Sequence, residues 1–199
     1  LFGVFRPEQG LGAVAAHAHM VELPRIFILF LLDTVFPLST LRYLYFFICL
    51  IVGPIGMYFF LLRVLIKKKL PSFLGALFYL LNLGTYQTFV VPFEMFTTLY
   101  ATLPFIFWLF AEYLALHKKR VLIFFSIAVI FTSPAAYAST LWFVFFASLL
   151  LFFTPYVLIK RKKSGILKRF IILISIIVVL YLYWLLPNMY FATTSGTQV

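Results

Sequence analysis

An all-α, polytopic transmembrane bundle of about six spans, with one further amphipathic helix at the outer interface, is the fold this sequence predicts, on three observations. The first is composition: 65% of the 199 residues are apolar, with 27 Phe and 12 Tyr, more than a soluble domain of this length can hide from water. The second is spacing. Apolar runs of about 20 residues, the length a helix needs to cross the hydrocarbon core, recur between basic clusters. These clusters are Lys67-Lys68-Lys69, Lys118-Lys119-Arg120 and Lys160-Arg161-Lys162-Lys163 with Lys168-Arg169. The third is the sorting of charge. If the spans alternate, 13 of the 16 Lys and Arg residues fall on one side, while Glu8, Glu22, Asp33 and Glu94 fall on the other. The basic side is then expected to be cytoplasmic, in an inner (plasma) membrane.

Taken in order, residues 1–40 form an extracytoplasmic loop. Within it the apolar run from Ile26 to Phe36 is limited by Pro24 and Pro37 and bracketed by Arg25 and Asp33, too short to span. An interfacial helix is expected there, with Ile26, Leu29, Phe30 and Phe36 at the acyl boundary. The alternative is a tilted span with Asp33 buried against a partner. Spans are expected over residues 41–66, 72–91, 96–116, 121–137, 140–158 and 166–186, the fourth interrupted by Pro134 after Thr132-Ser133. Gly53-Pro54-Ile55-Gly56 is expected to kink the first span and admit a close neighbour. Tyr43, Tyr45, Tyr100, Trp142 and Trp184 are placed as an outer aromatic belt. The membrane domain runs over residues 41–191, and residues 192–199 begin another outer loop. The sequence starts at Leu1 without Met and stops just after a span, so both ends are expected to be cut from something longer.

Several function classes are disfavoured. The +11 net charge sits in short loops beside spans, where it serves topology rather than nucleic-acid binding. Cys49, alone and inside a span, admits no intramolecular disulfide. No phosphate-binding glycine loop, His-Glu-x-x-His or nucleophile elbow is present. The spans hold almost no ionisable residue, which weakens pump and channel readings.

Few residues can carry chemistry. His17 and His19, two apart, share one face of an extended segment and offer two ligands to a divalent metal, with Glu22 as a third; a solvated loop is the alternative. Glu94 lies in an apolar outer loop and is a candidate base, or else an acid stabilised at the start of the third span by the helix dipole. Arg25 and Arg42 are shaped to grip a lipid phosphate in two places, or snorkel to ordinary headgroups. Glu112, near the basic end, is expected to pair with Lys118 and Lys119.

Gly56-Met57-Tyr58-Phe59-Phe60-Leu61-Leu62-Arg63, running into a basic turn, then Leu74-Gly75-Ala76-Leu77-Phe78-Tyr79-Leu80-Leu81-Asn82, resembles the early spans of C-superfamily polytopic glycosyltransferases, particularly the arabinofuranosyltransferase-like membrane proteins. Tyr183-Trp184-Leu185-Leu186-Pro187 with Tyr190 is similar to a Trp-Leu-Pro element of the same proteins, and the likeness covers most of residues 40–191. The resemblance implies transfer of a sugar from a polyprenyl-phosphate donor to an acceptor at the outer face. It also implies an acidic base or metal ligand in the first outer loop, for which Glu22 and Asp33 are the substitutes here. Residues 1–40 look like the later part of that loop, with its surface helix at 21–36. The expected reaction is inverting transfer, with a loop carboxylate such as Glu94 as base and Arg25 and Arg42 on the lipid phosphate. The competing expectations are a non-enzymatic export or structural subunit and an ion-coupled transporter. For the last, the interruptions at Pro54 and Pro134 do not form the matched pair that inverted repeats require.

Overall fold

The computed structural model describes residues 5–6, 13–14, 20–159 and 165–194. Apart from a two-residue antiparallel pairing of β1 (Phe5–Arg6) with β2 (Ala13–Val14), all described regular structure is helical. Helix α1 (Leu23–Asp33) is followed by α2 (Leu38–Phe60), which runs on into a π-helical turn, Leu61–Leu65. Then come α3 (Lys69–Leu81), α4 (Leu83–Val90), α5 (Glu94–Leu116) and α6 (Lys119–Thr132) with a 3-10 turn, Ser133–Tyr137. The chain closes with α7 (Ser139–Ile159) and α8 (Ile166–Thr194). Five stretches are long and apolar enough to cross a membrane: Ser39–Leu65, Glu94–Leu116, Lys119–Tyr137, Ser139–Ile159 and Ile166–Pro187.

The stretch expected as one continuous span over residues 72–91 is α3 and α4, bent by 42°. Asn82 makes the bend. Its Oδ1 accepts the Thr85 N–H at 3.0 Å as an N-cap, while its Nδ2 donates to the Tyr79 carbonyl at 2.8 Å. One amide thus closes α3 and opens α4. In contrast, α2 continues through Pro54 as one helix despite the missing N–H. Pro134 acts as expected, because α6 tightens there into the 3-10 turn. Two helices run past the expected domain limits. Helix α2 begins at Leu38, ahead of the expected domain start at residue 41, and α8 continues to Thr194, beyond the expected end at 191.

Helix α5 is the centre of the bundle and packs on α2, α6, α7 and α8. Its Ile106, Phe110 and Leu114, each four apart, form one fully buried stripe against Phe125, Leu149, Phe153 and Leu173. Phe110 stacks on Phe153 with ring centroids 4.2 Å apart. Close approach of α2 to α5 depends on the two glycines the sequence singles out. A Cβ on Gly53 would stand 2.5 Å from the Tyr100 ring, and one on Gly56 would stand 2.5 Å from Phe105.

The aromatic belt is a correction. Only Tyr43 of the five is exposed; Tyr45, Tyr100 and Trp184 are buried, and Trp142 packs against Tyr181 and Trp184. Geometry requires part of this, since residues two apart on a helix point about 200° apart and Tyr43 and Tyr45 cannot both face lipid. Helix α1 also turns differently from the expectation. Phe30 and Phe36 are outward as expected, together with Phe27 and Leu31, but Leu29 packs inward on Tyr45, Phe46, Cys49 and Ala101. Its start is pinned by the Ser133 hydroxyl, which donates to the Val21 carbonyl at 2.7 Å.

Candidate functional site

The end of the bundle where α1, α2 and α5 meet gathers four of the ionisable residues singled out from the sequence. Glu22 stands just before α1 and Arg25 one turn into it, the i, i+3 spacing that brings helix side chains together. Arg25 Nη2 donates to Glu22 Oε2 at 2.7 Å. Arg42, in the second turn of α2, donates through Nε to Glu94 Oε1 at 3.0 Å. Arg25 Nη1 lies 3.9 Å from that same Glu94 oxygen. The result is an alternating chain, Glu22, Arg25, Glu94, Arg42, of zero formal charge. Glu94 is the first residue of α5, where the helix dipole also favours a carboxylate.

Burial divides the four. The Arg25 and Glu22 side chains are each 14% exposed and Glu94 22%, whereas Arg42 is 61% exposed. Aromatic rings lie beneath both cations, Tyr45 at 5.9 Å from the Arg25 guanidinium carbon and Phe46 at 5.5 Å from that of Arg42. Below Glu94, its carbonyl accepts from Thr98 Oγ1, and that hydroxyl also bonds the Tyr45 hydroxyl. Over the cluster opens a cleft of about 330 Å³, lined by Glu22, Arg25, Phe93, Glu94, Met95 and Tyr137. One donor is unused: Arg25 Nε is buried and has no hydrogen-bond partner among the described residues.

Asp33 is not part of this arrangement. It is exposed at the far end of α1, eight residues or about 12 Å along the helix from Arg25, and so does not stand with Glu22. His17 and His19 lie outside the described residues. Among the described residues no group of three or more His, Cys, Asp or Glu side chains can hold a metal.

Sequence reasoning missed Tyr45, Thr98 and Tyr137. A signal for the first two was present, because Tyr45 is three residues from Arg42 and Thr98 four from Glu94, the spacings of one helix face. The Glu112 expectation is a second correction. Among the described residues it forms no ion pair, and its Oε2 is buried without a hydrogen-bond partner. Lys118 and Lys119 are not in its reach, because α5 ends at Leu116 and the chain turns away through the left-handed His117 at φ 51°.

Chemically, the cleft offers the Arg25 guanidinium, with donor capacity to spare, and two carboxylates held close to it, while Arg42 stands beside the cleft on Glu94. An incoming oxyanion that drew Arg25 and Arg42 to itself would release Glu94 to accept a proton. No protein family, curated protein or solved structure matches this chain.

Proposed function

We propose that this chain is a multi-pass membrane glycosyltransferase, or a segment of one, whose cleft at Glu22, Arg25, Glu94 and Arg42 binds the phosphate of a polyprenyl-phosphate sugar. The observation that supports this reading is the buried, unpartnered Arg25 Nε beside a 330 Å³ cleft. A buried donor without an acceptor is unfavourable, and a phosphate oxygen is an acceptor of the right charge. Six spans result when the bent pair α3 and α4 is counted as one. The basic loops then face the cytoplasm and the cleft faces outward, with α1 along the outer interface.

In the proposed reaction Glu94 takes the proton of an acceptor hydroxyl as that oxygen attacks the anomeric carbon. The bond from that carbon to the phosphate oxygen breaks, and the electron pair leaves on the lipid phosphate, held by Arg25 and Arg42. Glu22 keeps Arg25 in place. The divalent metal expected from the sequence has its two histidines outside the described residues, and Glu22 and Glu94 are both engaged by guanidinium groups, so no step is routed through it. Glu94→Gln is expected to lower sugar transfer from a polyprenyl-phosphate donor at least about 100-fold while the protein still folds. Transfer at the wild-type rate would remove Glu94 from the scheme.

A second reading is favoured by the pairing itself. Because the four charges satisfy one another and tie three helices together, the cluster also suits a clamp in a non-enzymatic export or structural subunit. That reading expects Glu94→Gln to lower stability alone.

A further inference from the structure

The opposite, basic end of the bundle holds a second polar cavity that the proposed transfer does not use. It is a groove of about 410 Å³ on α5, between the π turn of α2 and helix α7. Arg63, Lys67 and Glu112 line it, with Ala111, Ala115 and Phe153 as apolar walls. Opposite charges that share a cavity normally close into an ion pair, yet Glu112 is paired with neither cation, and its Oε2 is buried with no hydrogen-bond partner among the described residues. An unpartnered buried carboxylate oxygen is unfavourable unless something outside the chain donates to it.

The local backbone holds the cations at the groove rather than over it. The π turn at Leu61–Leu65 carries Arg63, and the N–H groups of Ile66 and Lys67 both reach the Leu61 carbonyl, at 2.7 and 3.4 Å. Lys67 then leaves the helix in a left-handed conformation at φ 58°. Single π turns of this kind recur at functional sites. On the facing helix Ala111 and Ala115, four apart, leave volume that larger side chains would fill. About one turn deeper into the bundle the rings of Phe60, Phe107 and Phe152 pack on one another, with centroids 6.3 Å (Phe60 to Phe152) and 5.3 Å (Phe107 to Phe152) apart. Leu116, which lines it, and Leu65 are both half exposed.

We propose that this groove is a headgroup site for a phospholipid that bears both a phosphate and a primary ammonium, the chemistry of phosphatidylethanolamine. Arg63 and Lys67 take the phosphodiester, and Glu112 accepts an N–H of the ammonium, so each unmatched charge receives its complement. A quaternary ammonium has no N–H to give to the buried oxygen. An anionic lipid such as phosphatidylglycerol can offer Glu112 a neutral hydroxyl but no cation, and its net charge adds repulsion. Free phosphate satisfies the cations alone, and the position at the end of membrane-crossing helices is where lipid phosphates lie.

The test is a titration of the full chain in detergent, read by native mass spectrometry. The probes are phosphatidylethanolamine, phosphatidylcholine and phosphatidylglycerol with identical acyl chains, with inorganic phosphate as competitor. Phosphatidylethanolamine is expected to bind about tenfold more tightly than either of the others, the size of one charge-assisted hydrogen bond. Glu112→Gln is expected to erase that preference while leaving phosphatidylcholine binding unchanged. Lys67→Gln, at an exposed position, is expected to weaken all three lipids. Equal binding of the three lipids to the wild-type protein would overturn the proposal, as would a preference that survives Glu112→Gln or displacement of the lipid by inorganic phosphate. The wild-type comparison decides the matter even where a variant fails to fold.

Discussion

Arg25 serves two carboxylates from a position only 14% exposed, so its removal leaves both Glu22 and Glu94 without their shared cation. Breaking a partly buried network from its centre costs much more than trimming its rim. Arg25→Ala is therefore expected to lower stability by about 3 kcal/mol, and Arg42→Ala, at 61% exposure, by under about 1 kcal/mol. Thermal unfolding in detergent checks this, and equal losses would count against the hierarchy. At this scale the sequence was informative about identity and uninformative about pairing. Charged residues in an apolar loop are few enough to single out Glu22, Arg25, Arg42 and Glu94 directly. That Arg42 meets Glu94 depends on the rotation of two helices whose residues are 52 apart in the chain, which no local pattern encodes. The same rotation buried Tyr45 and left Tyr43 outside.

Among the elements, the seam between α2 and α5 is set by absent side chains. Gly53→Ala and Gly56→Ala each place a methyl against a ring held in the seam, and each is expected to destabilise by about 1–3 kcal/mol despite the better helix propensity of alanine. Gly75→Ala meets only the end of the Leu61 side chain, which can swing away, and is expected to be close to neutral or mildly stabilising. Measured unfolding midpoints in that order would support the seam; a loss at Gly75 equal to the others would not. The glycines were legible because small residues in an apolar run have few other uses. The bend was not legible at Asn82, because one polar residue in a long apolar stretch carries no period, and its capping bonds arise only once the chain has turned.

For the molecule as a whole, segregated charge predicts which ends share a side. Cys49 is free and only 4% exposed, so the native chain presents little background to a thiol reagent. With cysteine introduced singly at Asp33 and at Lys118, both exposed, a membrane-impermeant maleimide is expected to label the two from opposite sides of sealed vesicles. Labelling of both from one side would reject the alternating path. The fold class was readable at this scale because the bilayer imposes length, composition and charge rules that act on every residue at once. The packing of α1 against the 3-10 turn was not, since it joins distant parts of the chain.

That distant join has a consequence in time. The Ser133 hydroxyl that holds the Val21 carbonyl is 112 residues downstream of it. At synthesis rates of about 5–20 residues per second, the N-terminal segment waits on the order of ten seconds before its anchor has been made. Through that interval Glu22 and Arg25 have each other, but the cleft they will line has only part of its wall. Assembly at this end of the bundle is thus a late event in the life of the nascent chain, and anything that must guard the young N-terminal helix has a defined interval in which to do so.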